Sequence, residues 1–135
     1  MPQLNFENSA FYDSGRRGIT LDVKIQLSNL SVTFEAKIDT GAEACIFARS
    51  LGERIGLEIE KGERQRFDTV TGSFLTYGHS VTLTVAEIEF DSYVFFAADE
   101  NFNRNVLGRY GWLNRVIIAI NDYDGKLYLS RYESE

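Results

Sequence analysis

The chain has 135 residues, 44% of them hydrophobic, and a net charge of −6. That size and apolar content suit a domain with its own core and exclude a globally disordered chain. Its basic residues are dispersed among acids, as where Glu63 and Asp68 interleave with Lys61, Arg64 and Arg66, which excludes a nucleic-acid surface because phosphates need a basic face.

Ten phenylalanines, seven tyrosines and eleven glycines against one proline favour many short strands, so the expected class is all-β. The longest apolar runs, such as Val94 to Ala98 and Val116 to Ile120, fall far short of the ~20 residues that cross a bilayer, and no membrane insertion is expected. Met1 to Ser9 lacks a basic region followed by an apolar stretch, so it does not read as a signal peptide. A lone Cys45 forms no internal disulfide, which fits a reducing compartment and a cytoplasmic location. With no repeat, linker or low-complexity segment, residues 1–135 read as one domain, of which 1–17 form an extended N-terminal segment.

Along the chain, Ile19, Leu21, Val23, Ile25 and Leu27 alternate with polar residues, and after Ser28-Asn29 the alternation resumes on Leu30, Val32, Phe34, Ala36 and Ile38. This is the pattern of a two-residue hairpin. It assigns Ile38 to the core and Asp39 to the opposite face, where the strand gives way to Thr40-Gly41 and the carboxylate can enter a cleft. Ala44 to Phe47 then reads as a short strand, followed by one or two helical turns through Ala48, Leu51 and Ile55, with Gly56 as the stop.

Glu63 to Ser80 is polar and glycine-containing, with Thr69-Val70-Thr71-Gly72-Ser73 at its middle, and predicts a projecting hairpin. Val81, Leu83 and Val85 alternate, Ala86-Glu87 shifts the phase, and Ile88, Phe90 and Tyr93 to Ala98 supply further strand. A polar loop over Asp99 to Asn105 precedes Val106-Leu107-Gly108-Arg109, and Tyr110 to Asn114 is compatible with a short helix. Val116 to Ile120 and Lys126 to Tyr132 then flank Asp124-Gly125, a turn signal, as a closing hairpin.

Two separated motifs carry the functional reading. Ile38-Asp39-Thr40-Gly41-Ala42 and Val106-Leu107-Gly108-Arg109 agree in order and rough spacing with the two signatures of retropepsin-like aspartic proteases, and a glycine-bearing hairpin lies between them. The chain resembles that family from about Ile19 to Ile120. The resemblance implies a closed barrel with a flap hairpin and one or two short helices, working as a homodimer whose active site lies on the two-fold axis. Asp39 takes the catalytic position, supported by Thr40, Gly41 and Ala42. Glu43 and Arg109 stand where the family has an acid–arginine pair near the interface, with Gly108 beside them. Val70, Thr71, Gly72 and Phe74 correspond to the flap and substrate-binding region. The chain departs from the family at Tyr110, where Asp or Asn is usual, at Gly111 in the helix region, in its few flap glycines and in its longer C-terminus.

The chemistry implied is peptide-bond hydrolysis by two carboxylates sharing a proton around one water, one from each protomer. The ionised one takes a proton from the water and its partner donates to the peptide carbonyl, so neither metal nor cofactor is needed. A protein or peptide substrate is the expected partner. Two other readings compete: a catalytically silent retropepsin-like peptide-binding or dimerisation module, and a β-barrel ligand-binding domain in which Asp39 is an ordinary turn residue. Cys45 reads as a small buried hydrophobe, His79 as hairpin packing, and Asp122 and Asp124 as turn residues rather than calcium ligands.

Overall fold

The computed structural model describes residues 1–133, and they form ten strands, one α-helix and two 3-10 turns. β1 (Asn8–Phe11) lies within the extended N-terminal segment and had no clear alternation to announce it. β2 (Thr20–Leu27) and β3 (Leu30–Ile38) make the expected hairpin, with Leu27 opposite Leu30 and Ser28 at φ 54°. Its alternation holds: Leu21, Val23, Ile25, Val32 and Ala36 are buried, and the polar residues between them are not.

β4 (Ile46–Phe47) is followed by α1 (Arg49–Arg54), which ends as expected at Gly56, in the left-handed region at φ 92°. A 3-10 turn, Ile59–Lys61, leads to β5 (Glu63–Thr69) and the fourteen-residue β6 (Gly72–Val85). β5 and β6 form the expected hairpin around Val70-Thr71. β7 (Ile88–Ala97) returns from β6 through Ala86-Glu87, so the phase shift seen in the sequence is a two-residue hairpin turn with φ 50° and 66°. β8 (Val106–Leu107), β9 (Val116–Asn121) and β10 (Lys126–Arg131) complete the strands.

Seven strands run in the order β2-β3-β8-β4-β7-β6-β5, and the far edge of β2 also pairs with β6 through Val23–Gln26 and Thr82–Val85. β6 is therefore shared: its start belongs to the hairpin with β5, and its end joins both β7 and β2. β1, β10 and β9 form a second, three-stranded sheet. Val116, Leu127 and Leu129 of that sheet pack into the same apolar cluster as Val23, Phe47, Phe96, Leu107 and Trp112.

One expectation is corrected. Tyr110 to Asn114 is not a helix; the turn is a single 3-10 turn, Leu113–Arg115. Gly111 sits at φ 102° and Trp112 at φ −141°, ψ −62°, neither of which continues a right-handed helix. The reason lies in tertiary packing, because Trp112 is 1% exposed and swings into the core there. Among the described residues, no helix is long and apolar enough to cross a membrane.

Candidate active site

Asp39 follows the last residue of β3. Its N–H donates to the Leu107 carbonyl at 3.0 Å, so the strand that delivers it is held by the second motif. The parallel pairing of Ile38 with Leu107 sets this register. Ile38 packs on the main core and Asp39 is only half-buried, as the alternation requires.

The turn is shaped by its own side chain. The Gly41 N–H donates to Asp39 Oδ1 at 2.9 Å and the Ala42 N–H to the Asp39 carbonyl at 3.1 Å, a turn that orients the carboxylate. A Cβ on Gly41 would lie 3.3 Å from that same Oδ1, so glycine leaves the carboxylate room. Thr40 and Gly41 are exposed and Ala42 is half-buried.

The second motif fits beneath. Arg109 N–H donates to the Ala42 carbonyl at 2.9 Å, Tyr110 N–H to the Glu43 carbonyl at 2.8 Å and Cys45 N–H to the Tyr110 carbonyl at 3.1 Å. Three main-chain bonds thus stitch residues 42–45 to residues 109–110. A Cβ on Gly108 would lie 2.1 Å from the Ala44 oxygen and 2.9 Å from the Ala42 oxygen, so these segments approach closely only because residue 108 has no side chain. The two motifs are one structural unit, although they lie far apart in sequence.

Glu43 and Arg109 lie in the two stitched segments, where the Glu43 carbonyl accepts from Tyr110 N–H and Arg109 N–H donates to the Ala42 carbonyl. No salt bridge joins their side chains among the described residues, and both are exposed. An ion pair within the chain therefore does not hold this loop. Main-chain hydrogen bonds and the Gly108 contact do that work.

The hairpin residues divide. Val70 and Thr71 sit at the exposed tip, Val70 being 105% exposed. Gly72 follows at φ 145°, and the Thr69 hydroxyl donates to its carbonyl. Phe74 instead turns inward and stacks on Phe102 with ring centroids 5.1 Å apart.

That stack opens onto a second apolar cluster that sequence reasoning did not assemble. Ala44, Ile46, Phe67 and Phe95 are buried there, with Phe74, Tyr93, Phe102 and Val106 packed against them. Phe67 meets Phe95 edge-on at 5.2 Å, which ties the tip half of the hairpin to β7, the strand that pairs with β4. Phe67 was the available signal: it is the lone apolar residue in an otherwise polar β5.

Cys45 is buried beside Gly108, and burial pushes its thiol up to about 12, so it is inert as a nucleophile at neutral pH. His79 Nε2 bonds the Ile59 carbonyl at 2.9 Å, joining β6 to the preceding 3-10 turn. Asn121 binds Asp124 through both side-chain and main-chain contacts, so the acidic pair there shapes a turn.

An Asp-Thr-Gly loop seated on a Leu-Gly strand, within a mostly β framework, is the arrangement of an aspartic protease. Residues 13–110 match the aspartyl protease family, and the chain belongs to that retropepsin-like family. Among solved structures it is similar to "EIAV protease complexed with the inhibitor HBY-793", at 18% identity, over 70% of this chain and 84% of that one, with a TM-score of 0.55. That likeness establishes the fold of a retroviral protease. No curated protein matches the chain.

Proposed function

We propose that the protein is an aspartic endopeptidase in which the Asp39 carboxylates of two copies activate one water between them. The observation that carries this reading is the Asp39 loop itself: a half-buried carboxylate, oriented by the Gly41 N–H and pinned to the Leu107-Gly108 segment. Only one such loop exists per chain, and the chemistry needs two carboxylates, so the complete site requires a homodimer. Two carboxylates facing one water resist holding two negative charges, and they share a proton. The ionised oxygen then takes a proton from water as it attacks the peptide carbonyl, and the protonated oxygen donates to the carbonyl oxygen.

The β5–β6 hairpin serves as the flap in this reading, with Val70, Thr71 and Gly72 at its tip and Phe74 lining the approach to a peptide bound as an added strand. The pairing circuit from β2 through β3, β8, β4, β7 and β6 back to β2 supports the closed barrel. In this reading Thr40 bonds across the two-fold axis, and its exposure on the loop supports that role.

The test is Asp39→Asn, assayed on a diverse peptide library over about pH 4 to 7. The expected result is loss of cleavage by at least ~1,000-fold with the fold and dimer retained. Cleavage undiminished in that variant sinks the assignment. Peptides that the native protein binds but never cuts leave a binding module instead.

A further inference from the structure

β8 is too short to hold its own place. Its two residues pair in parallel with β3, Lys37 with Val106 and Ile38 with Leu107, and meet β4 only where Ile46 lies opposite Val106. Successive residues of a strand face opposite sides, so a slip of one residue would send Leu107 out of the main core, where it is fully buried, to the face that Val106 occupies. It would also carry the Leu107 carbonyl away from the Asp39 N–H. The register is therefore fixed from outside the strand. Gly108 fixes one end by its close approach to Ala42 and Ala44.

Asn105 fixes the other end. Its carbonyl accepts from the Lys37 N–H at 2.9 Å, which continues the pairing with β3 by one bond. Its half-buried side chain reaches further: Oδ1 accepts from the Ala48 N–H at 2.9 Å, just past β4, and Nδ2 donates to the Glu35 carbonyl of β3 at 3.3 Å. One side chain spans the two strands between which β8 is inserted. The span needs an acceptor and a donor on the same short side chain, and turning the amide over would set N–H against N–H and oxygen against oxygen. Aspartate supplies only acceptors, and alanine supplies neither.

We propose that Asn105 is a positioning residue for the Asp39 carboxylate, acting through β8: it seats Leu107 where the Leu107 carbonyl takes the Asp39 N–H. Asn105 touches no reacting atom. Its effect passes from the anchor on Glu35 and Ala48 to Leu107, two residues on, then to the Asp39 N–H at 3.0 Å and the carboxylate that the Gly41 N–H orients. The consequence for catalysis rests on the aspartic protease reading, whereas the placement of the Asp39 loop does not.

The test compares the native chain with Asn105→Ala, which removes both side-chain bonds, and Asn105→Asp, which keeps the acceptor for Ala48 and sets a carboxylate oxygen against the Glu35 carbonyl. Two readouts are taken. The first is the nuclear magnetic resonance coupling across the Asp39 N–H to Leu107 carbonyl bond, with the Ile38 N–H to Ile19 carbonyl bond as internal control, since that bond lies one residue away and involves no part of β8. The Asp39 coupling should fall by about half or more in both variants as that bond lengthens, while the Ile38 coupling keeps its native value. The second readout is cleavage of a peptide that the native chain cuts. There kcat should fall roughly 10- to 100-fold with KM changed by less than about 2-fold, because a misplaced carboxylate costs transition-state and not ground-state binding. A native Asp39 coupling in the variants, equal loss of both couplings, or a weakened Asp39 bond with native kcat overturns the role of Asn105. If the native chain cuts no peptide, the protease reading falls and the couplings alone decide whether Asn105 places the loop. If Asn105→Ala misfolds, Asn105→Asp decides.

Discussion

Gly108 is the residue on which the two motifs depend, because its missing side chain lets the Ala42–Ala44 backbone come within contact of it. A methyl group at that position has to displace main chain, not a flexible side-chain end. Gly108→Ala should lower unfolding stability by about 2–4 kcal/mol in urea titration, more than most surface changes cost. Cys45, against the same segment, makes a pH-dependent contribution whose sign follows from burial. Its thiol is pushed up to about 12 in the folded chain from an ordinary 9.0. Below the ordinary value both states keep the proton and the effect vanishes. Between the two values the unfolded chain releases its proton and the folded one retains it, so stability falls as pH rises. The stability advantage of the native chain over Cys45→Ala should shrink by roughly 1.4 kcal/mol between pH 8 and pH 10, measured by denaturant unfolding of both proteins.

Among the elements, the hairpins separate what pattern can reveal from what it cannot. β2–β3 is legible because each strand alternates strictly and Ser28-Asn29 is ordinary turn chemistry. The β6–β7 turn is harder to read: Ala86 and Glu87 both take left-handed backbone without being glycine or asparagine. That conformation costs an L-residue about 1–2 kcal/mol, and it is held by the long pairing of β6 with β7 on either side. Glu87→Gly should therefore stabilise the fold by about 0.5–1 kcal/mol, after the entropy cost of glycine, read as a rise in melting temperature. Tyr110 to Asn114 fails as a helix for the converse reason. Its composition permits helix, but burying Trp112 and turning at Gly111 take precedence.

At the scale of the whole molecule, one chain supplies one Asp39 loop, and the proposed activity belongs to the pair. Specific activity should fall on dilution below the dimer dissociation constant, and undiminished activity of a demonstrated monomer contradicts the mechanism. Salt should act in a defined direction. Each copy carries −6, so association brings like charges together, and raising ionic strength from about 0.05 to 0.5 M should tighten the dimer by screening them. Sedimentation at the two salt concentrations checks it; weaker association in salt would mean that attractive charge pairs dominate the interface.

The amino-acid sequence by itself determined the mostly β class, the hairpin that delivers Asp39, the helix stop at Gly56 and the two motifs of the aspartyl protease family. These rest on local alternation, turn chemistry and short motifs, which neighbouring residues carry among themselves. Only the tertiary structure decided how the motifs lock together through Gly108, that main-chain bonds to Ala42 and Glu43 and no Glu43–Arg109 ion pair hold the loop, and that Phe67 and Phe74 of the hairpin gather with Phe95 and Phe102. The bonds of Asn105 to Glu35 and Ala48 belong to the same group. Each depends on which strands become neighbours, and strand order is set by burial across the whole sheet, which no local stretch of sequence encodes.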